Sequence, residues 1–184
     1  AYMNVNRSGI IAVDIREGDR LLDVLLTSGS DDLLIATAGG MAIRFGETDA
    51  RDMGRAAGGV KGIDLADGDE AIGMINLAMT PDPDGDLMTR DTNQFLLTIT
   101  RRGYGKRTAV DEYRVQPETG KLRSQSRGGK GIIGGRTKDD DFIEHMFVAS
   151  THDDLLCFTN TGRVFKVKVY ELPEMDRTAK GRSL

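Results

Sequence analysis

Residues 123–131 read RSQSRGGKG: three cations and three glycines in nine positions, with no carboxylate and no aliphatic or aromatic side chain. Such a stretch has nothing to add to a hydrophobic core, and its chemistry is that of anion binding. Glycines let the backbone approach a ligand and turn N–H groups toward anionic oxygens, while arginine and lysine neutralise phosphate charge. The candidate residues are Gln125, Ser126, Arg127, Gly128, Gly129, Lys130 and Gly131, with Arg123 just upstream. A second cluster, RRGYGKRT (101–108), adds Arg101, Arg102, Lys106 and Arg107 to the same polyanion track. Few aromatic residues lie among these cations, which favours contact with a duplex backbone over stacking on single-stranded bases.

The net charge of the 184-residue chain, −4, argues at first against a nucleic-acid partner. The distribution reverses that impression. Residues 101–138 carry eleven Lys/Arg against three Asp/Glu, whereas residues 1–100 carry eight against seventeen and residues 139–184 six against nine. Local potential, not total charge, steers a polyanion. The middle segment is a basic footprint on an acidic body.

Other chemistry finds little support. His145, His152 and Cys157 do not have a zinc-ligand spacing, and one cysteine cannot form an internal disulfide framework. The acidic stretch 82–86, DPDGD, lacks the glycine and closing glutamate of a calcium loop. The glycine-rich connectors never complete a P-loop, and no Ser/His/Asp arrangement has local support. No cofactor, metal or catalytic residue is expected. No apolar run approaches the roughly 20 residues of a membrane helix, and the N-terminus does not read as a signal peptide. A lone cysteine fits a reducing cytosol.

The elements that must position these cations repeat along the chain. LLIATAGGMAIRF (33–45), LLTITRRGYGKRT (96–108) and LLCFTNTGRVFKV (155–167) align without gaps, each turning at a glycine: Gly40, Gly103, Gly162. The pattern predicts three β-hairpins. Each is followed by an acidic position (Glu47, Glu112, Glu171) and an Arg/Gly connector, at 53–65, 125–135 and 175–184, and residues 6–15 resemble a further connector. An acidic turn and an apolar strand come next, expected at 21–27, 71–79 and 142–150. A glycine–arginine loop can be a plain solvated turn, but recurrence in every repeat favours a binding role.

Arg7, Arg55, Arg127 and Arg177 are spaced by 48, 72 and 50 residues, and the longest interval holds two insertions, at 81–86 and 115–122. Four-stranded units at such a period predict an all-β, propeller-like array. The approximate repeats are 7–54, 55–126 and 127–176, with 177–184 starting a further unit, in one domain spanning 1–184. Only short helical pieces are expected, near 47–53.

QSRGGKG (125–131) closely resembles the glycine–arginine box of a bacterial family, the C-terminal domain of DNA gyrase A, with Ser126 where the common form has arginine. GYGKRTAVDEYR (103–114), MGRAAGGVKGIDL (53–65) and residues 151–182 resemble other hallmark segments of that family, so the similarity runs through essentially the whole chain. The resemblance implies a β-pinwheel, in which neighbouring propeller-like blades exchange a strand. It further implies a basic rim that binds and wraps double-stranded DNA within an ATP-hydrolysing type IIA topoisomerase. The implied partners are duplex DNA, the rest of gyrase A, and gyrase B, with no membrane partner and a cytoplasmic, nucleoid-associated setting. The domain itself is then non-catalytic; the family's catalytic tyrosine lies in a separate winged-helix domain, and Tyr104 does not take that role. About three repeats are present against the five or six blades usual in the family. Both termini fall at one phase of the repeat, so self-association through open blade ends is a further expectation. Two alternatives stay open: a topoisomerase IV-type C-terminal domain, against which the near-complete box argues, and a propeller-like scaffold docking proteins on its acidic face.

Overall fold

The computed structural model describes residues 7–81, 83, 87–89, 94–115, 122–138 and 140–183. Most of the acidic tip at 81–86, most of the insertion at 115–122 and Asp139 of the acidic turn lie outside the described residues. The first hairpin is β1 (Asp32–Thr37) and β2 (Met41–Gly46), followed by β3 (Ala71–Leu77) and a minor hairpin of β4 (Met79–Pro81) and β5 (Leu87–Thr89). The second is β6 (Gln94–Thr100) and β7 (Tyr104–Ala109), followed by β8 (Ile132–Ile133) and β9 (Ile143–Ser150). The third is β10 (Asp154–Phe158) and β11 (Val164–Lys168), and β12 (Arg182–Ser183) comes last.

All three hairpins turn by the same device, a Thr-x-x-Gly sequence. Gly40, Gly103 and Gly162 have φ of 88°, 78° and 80°, a left-handed conformation that costs glycine nothing. Their N–H groups donate to the carbonyls of Thr37, Thr100 and Thr159 at 2.9–3.0 Å. Each threonine hydroxyl then accepts an N–H at the start of the return strand, from Met41, Tyr104 and Arg163, at 3.1–3.2 Å. After each hairpin the chain makes one 3-10 turn, at Glu47–Asp49, Val110–Tyr113 and Val169–Glu171. These are the only helical pieces among the described residues.

The sheets are not built from single repeats. One has the order β3-β1-β2-β8 and the other β12-β7-β6-β9. Each central hairpin is flanked on one side by the strand that follows its own connector, and on the other by a strand from the connector after the next hairpin. Thus Ala42 of β2 pairs with Ile132, and Gly105 of β7 pairs with Arg182. This is the strand exchange of a β-pinwheel. β10 and β11 pair only with each other among the described residues.

Both faces of the two four-stranded sheets are covered, which explains why β1, β3 and β6 are apolar almost continuously rather than in strict alternation, whereas Phe158 and Val164 of the third hairpin are exposed. Leu34, Ala36, Leu77, Leu96, Val110, Tyr113 and Ile143 form a core shared by the two blades. On the other face of the first blade, Leu33, Ile43 and Phe45 pack with Ile63 of the connector. Leu97, Val169 and Leu172 join the second blade to the third hairpin.

One expected strand is absent. Residues 21–27, LLDVLLT, have no strand pairing, and Leu26 is 93% exposed. β3 and β9 each pair with the first strand of the hairpin preceding them. Among the described residues no hairpin precedes 21–27, and a strand without a neighbour has no ladder to join.

Candidate nucleic-acid interface

The glycine–arginine segment runs along β2 and then leans on the preceding connector. At its start the Gln125 N–H donates to Arg44 O at 2.6 Å, and at its end the Gly134 and Gly135 N–H groups both donate to Gly40 O, at 2.8 and 3.0 Å. Between these anchors the Gly128 N–H donates to Gly62 O at 2.7 Å, and Gly129 O accepts the Asp64 N–H at 2.8 Å. Gly131, at φ 74°, lies so close to β2 that a Cβ would stand 2.3 Å from Ala42 O. Gly128 and Gly131 therefore serve close approach of backbone to backbone. Gly128 in particular spends its N–H within the protein.

Tyr113, fully buried, donates its hydroxyl to Gly134 O at 3.0 Å, tying the 3-10 turn of the second hairpin to the connector. Burial pushes this phenol up to about 12. The neighbouring Arg44 is also fully buried. Its Nε donates to Asp32 at 2.8 Å, and its Nη1 donates to Val110 O at 2.8 Å and to Asp111 at 3.2 Å. Ser124, just before the box, donates its hydroxyl to the same Asp32 carboxylate at 2.6 Å. This cation holds the first blade to the second.

The candidate cations divide into exposed and interior groups. Arg101, Arg102, Arg123 and Lys130 are exposed. Arg101 lies over the Phe142 ring, 5.5 Å from its centroid, at the β6–β7 turn. Arg123 belongs to a backbone bridge with Val115 and leaves its side chain outward. Lys130 acts electrostatically on Asp64, whose carboxyl is held below the usual range chiefly by the hydrogen bond from Lys61. Ser126 and Gly129 are exposed beside them.

Lys106 is not a rim residue. It is 2% exposed, and its ammonium donates to Asp176 O at 2.9 Å and Arg177 O at 2.7 Å. Arg107 is mostly covered too, paired with Glu174 at 3.2 Å and stacked over Phe95 at 4.9 Å. A period-two strand normally offers one face to water; in this fold both faces meet neighbouring elements, so both cations turn inward. Arg127, half-buried, directs Nε to Asp49 O at 3.1 Å and Nη1 to Lys61 O.

Burial pushes the Lys106 ammonium down from 10.5 to about 8. Between these values the unfolded chain holds a proton that the folded one does not, so stability rises with pH across the window. The neutral amine keeps two N–H groups, enough for both carbonyls. Urea unfolding at pH 7.5 and 9.5 is therefore expected to show the wild type gaining stability relative to Lys106→Met. Parallel behaviour of the two proteins contradicts a displaced titration.

The structure also shows cations beyond those singled out from the local motif. Lys61 and Lys180 are exposed on the connectors before and after the box, and Lys180 stands three residues after Arg177, as Lys130 stands after Arg127. Aligning the connectors residue by residue would have found Lys180. Among the described residues no group of three or more His, Cys, Asp or Glu is placed to hold a metal ion, and no helix is long and apolar enough to cross a membrane.

Comparison with known proteins accounts for this arrangement. The sequence matches the family model described as "DNA gyrase C-terminal domain, beta-propeller" over residues 4–28, 31–77, 94–121, 118–150 and 153–184. It is 35% identical over 181 residues to the DNA gyrase A protein of Staphylococcus epidermidis and, equally, of Staphylococcus aureus, covering 98% of this chain but 18% of those proteins. The fold superimposes on the C-terminal domain of DNA topoisomerase IV with a TM-score of 0.80 at 23% identity, covering all of this chain and 51% of that one. Against the DNA gyrase A C-terminal domain the TM-score is 0.76 at 18% identity, over 97% and 54% of the respective chains. With exchanged strands, repeated connectors and a family match along most of its length, the chain belongs to the DNA gyrase C-terminal domain family.

Proposed function

We propose that this chain is a duplex DNA-binding and DNA-wrapping module of a type IIA topoisomerase, itself without catalytic residues. It would act beside the remainder of a gyrase A protein, together with gyrase B, in ATP-dependent negative supercoiling, in the bacterial cytoplasm at the nucleoid. The observation that carries the reading is the exposure of Lys61, Lys130 and Lys180 on successive connectors of a chain in the gyrase family. Arg101, Arg102 and Arg123 extend the set of outward cations. Phosphate contacts from such a surface are blind to sequence and release counterions, so binding is duplex-general and steep in salt. The division into repeats 7–54, 55–126 and 127–176, with 177–184 beginning another, belongs to the same reading.

The test is duplex affinity, with topological shift of a ligated circle, measured across a salt series. If six to ten phosphates are engaged, affinity falls about 10³–10⁵-fold between roughly 50 and 200 mM salt. Neutralising Arg127 and Lys130 together reduces the shift. Absence of duplex binding at the low end of the series overturns the reading in favour of a protein-docking scaffold. Self-association is a further part of the proposal, with the open edge of β10 accepting residues 21–27 of a second copy as β1 accepts β3. A strictly monomeric mass by light scattering of the same samples removes that part.

A further inference from the structure

The box arginine has counterparts in the connectors before and after it, and all three make the same kind of contact. Arg55 donates Nη1 to Ile11 O at 3.3 Å, Arg127 donates Nη1 to Lys61 O, and Arg177 donates Nη1 to Ile133 O at 2.8 Å. In each case the acceptor is a main-chain carbonyl of the preceding connector. For the last two the register is identical: Lys61 lies six residues after Arg55, and Ile133 six residues after Arg127. A contact repeated at one register from one connector to the next belongs to the architecture rather than to one loop.

The chemistry suits arginine and not lysine. A guanidinium presents its N–H groups as a rigid planar fork, whereas an ammonium is a point charge on a flexible stem. Arg127 uses two arms of that fork at once, Nε to Asp49 O and Nη1 to Lys61 O, and so closes the residues between them. The backbone reinforces the same seam, through Gly128 N–H to Gly62 O and Asp64 N–H to Gly129 O. A side chain at 128 would be strained there, since φ is 81° and a Cβ would stand 3.3 Å from Lys61 O. Two residues further on, Lys130 stands exposed.

We infer that Arg127 is a positioning residue, a clamp that fixes one connector on the next and so sets the curvature of the basic rim, rather than a ligand of phosphate. Arg177 is its counterpart one repeat later. The inference rests on the DNA-wrapping reading, and it changes what loss of the arginine removes: the path of the duplex and not a unit of charge.

Lysine substitution separates the two roles, because it keeps the charge and loses the fork. The salt series and topological shift are compared for wild type, Arg127→Lys, Arg127→Gln and Lys130→Gln. The clamp predicts that both Arg127 variants lose most of the shift, about threefold or more, while the slope of log affinity against log salt, read on a duplex too short to bend around the rim, stays at the wild-type value. Lys130→Gln flattens that slope by about 0.9. Restoration of the shift by lysine, with a slope flattened by about 0.9 in Arg127→Gln, overturns the clamp. Should Arg127→Gln fail to fold, Arg127→Lys and Arg177→Lys decide the matter by the same measurements. Amide hydrogen exchange at Gly128 provides a readout without DNA: the clamp predicts at least about tenfold faster exchange in Arg127→Lys, and unchanged exchange overturns it. If the wild type binds no duplex, the functional reading fails while the exchange result still judges the clamp.

Discussion

Replacing Gly131 with alanine is expected to destabilise the chain by about 2–6 kcal/mol, the combined cost of a left-handed alanine and of forced backbone displacement. The residue sits at φ 74°, and an added Cβ would lie 2.3 Å from Ala42 O and 2.8 Å from Ala42 C. Backbone atoms cannot yield as the tip of a long side chain can. Relief requires the connector to move off β2, which breaks the pairing of Met41 and Ala42 with Ile133 and Ile132. Gly162→Ala is the matched control. It has φ 80° but nothing within 4 Å of an added Cβ, so it bears only the conformational cost of about 1–2 kcal/mol. Urea unfolding of the two variants distinguishes them, and equal midpoints would show that the close approach at Gly131 contributes nothing.

The second large effect concerns Arg44. Exchanging it for methionine leaves the buried carboxylate of Asp32 without its guanidinium and takes a donor from Val110 O. Breaking a buried pair from one side costs about 3–5 kcal/mol. The companion double variant, Arg44→Met with Asp32→Leu, removes both charges and is expected to recover more than half of that loss, since apolar replacement of a whole buried pair is often close to neutral. Chemical denaturation of the single and double variants reads both numbers. A double variant no better than the single one would mean that Arg44 stabilises through its carbonyl contact and packing rather than through its pairing with Asp32.

These two sites mark where the sequence is legible and where it is not. The hairpins can be read because their information is local: apolar runs, then Thr-x-x-Gly, then more strand, all within thirteen residues. The threonine's part in that turn, accepting the N–H four residues on, is not evident from hydropathy although it recurs at Thr37, Thr100 and Thr159. The exchanged strands cannot be read from pattern. β8 is two isoleucines whose partner lies far upstream, and only the resemblance to a known family implies the exchange. LLDVLLT misleads for the converse reason, because apolar composition makes a strand only where a neighbouring strand completes it. Cations are the hardest class. Arg44, Lys106 and Arg107 look like solvent-facing strand residues, yet each is covered by a neighbouring element. What separates Lys130 from Arg127, three residues apart, is whether a main-chain carbonyl stands within reach, and sequence carries no mark of that.

The exchanged strands also impose a delay during protein synthesis. Ala42 leaves the ribosome 90 residues ahead of Ile132, the residue that completes its edge. At the usual elongation rate of about 5–20 residues per second, β2 waits on the order of 5–20 s with one edge unsatisfied. An open apolar strand is a template for pairing with the wrong chain, and neighbouring nascent copies on one message are the nearest candidates. Translation speed through the interval between the first and second connectors therefore bears directly on how much of the protein matures correctly.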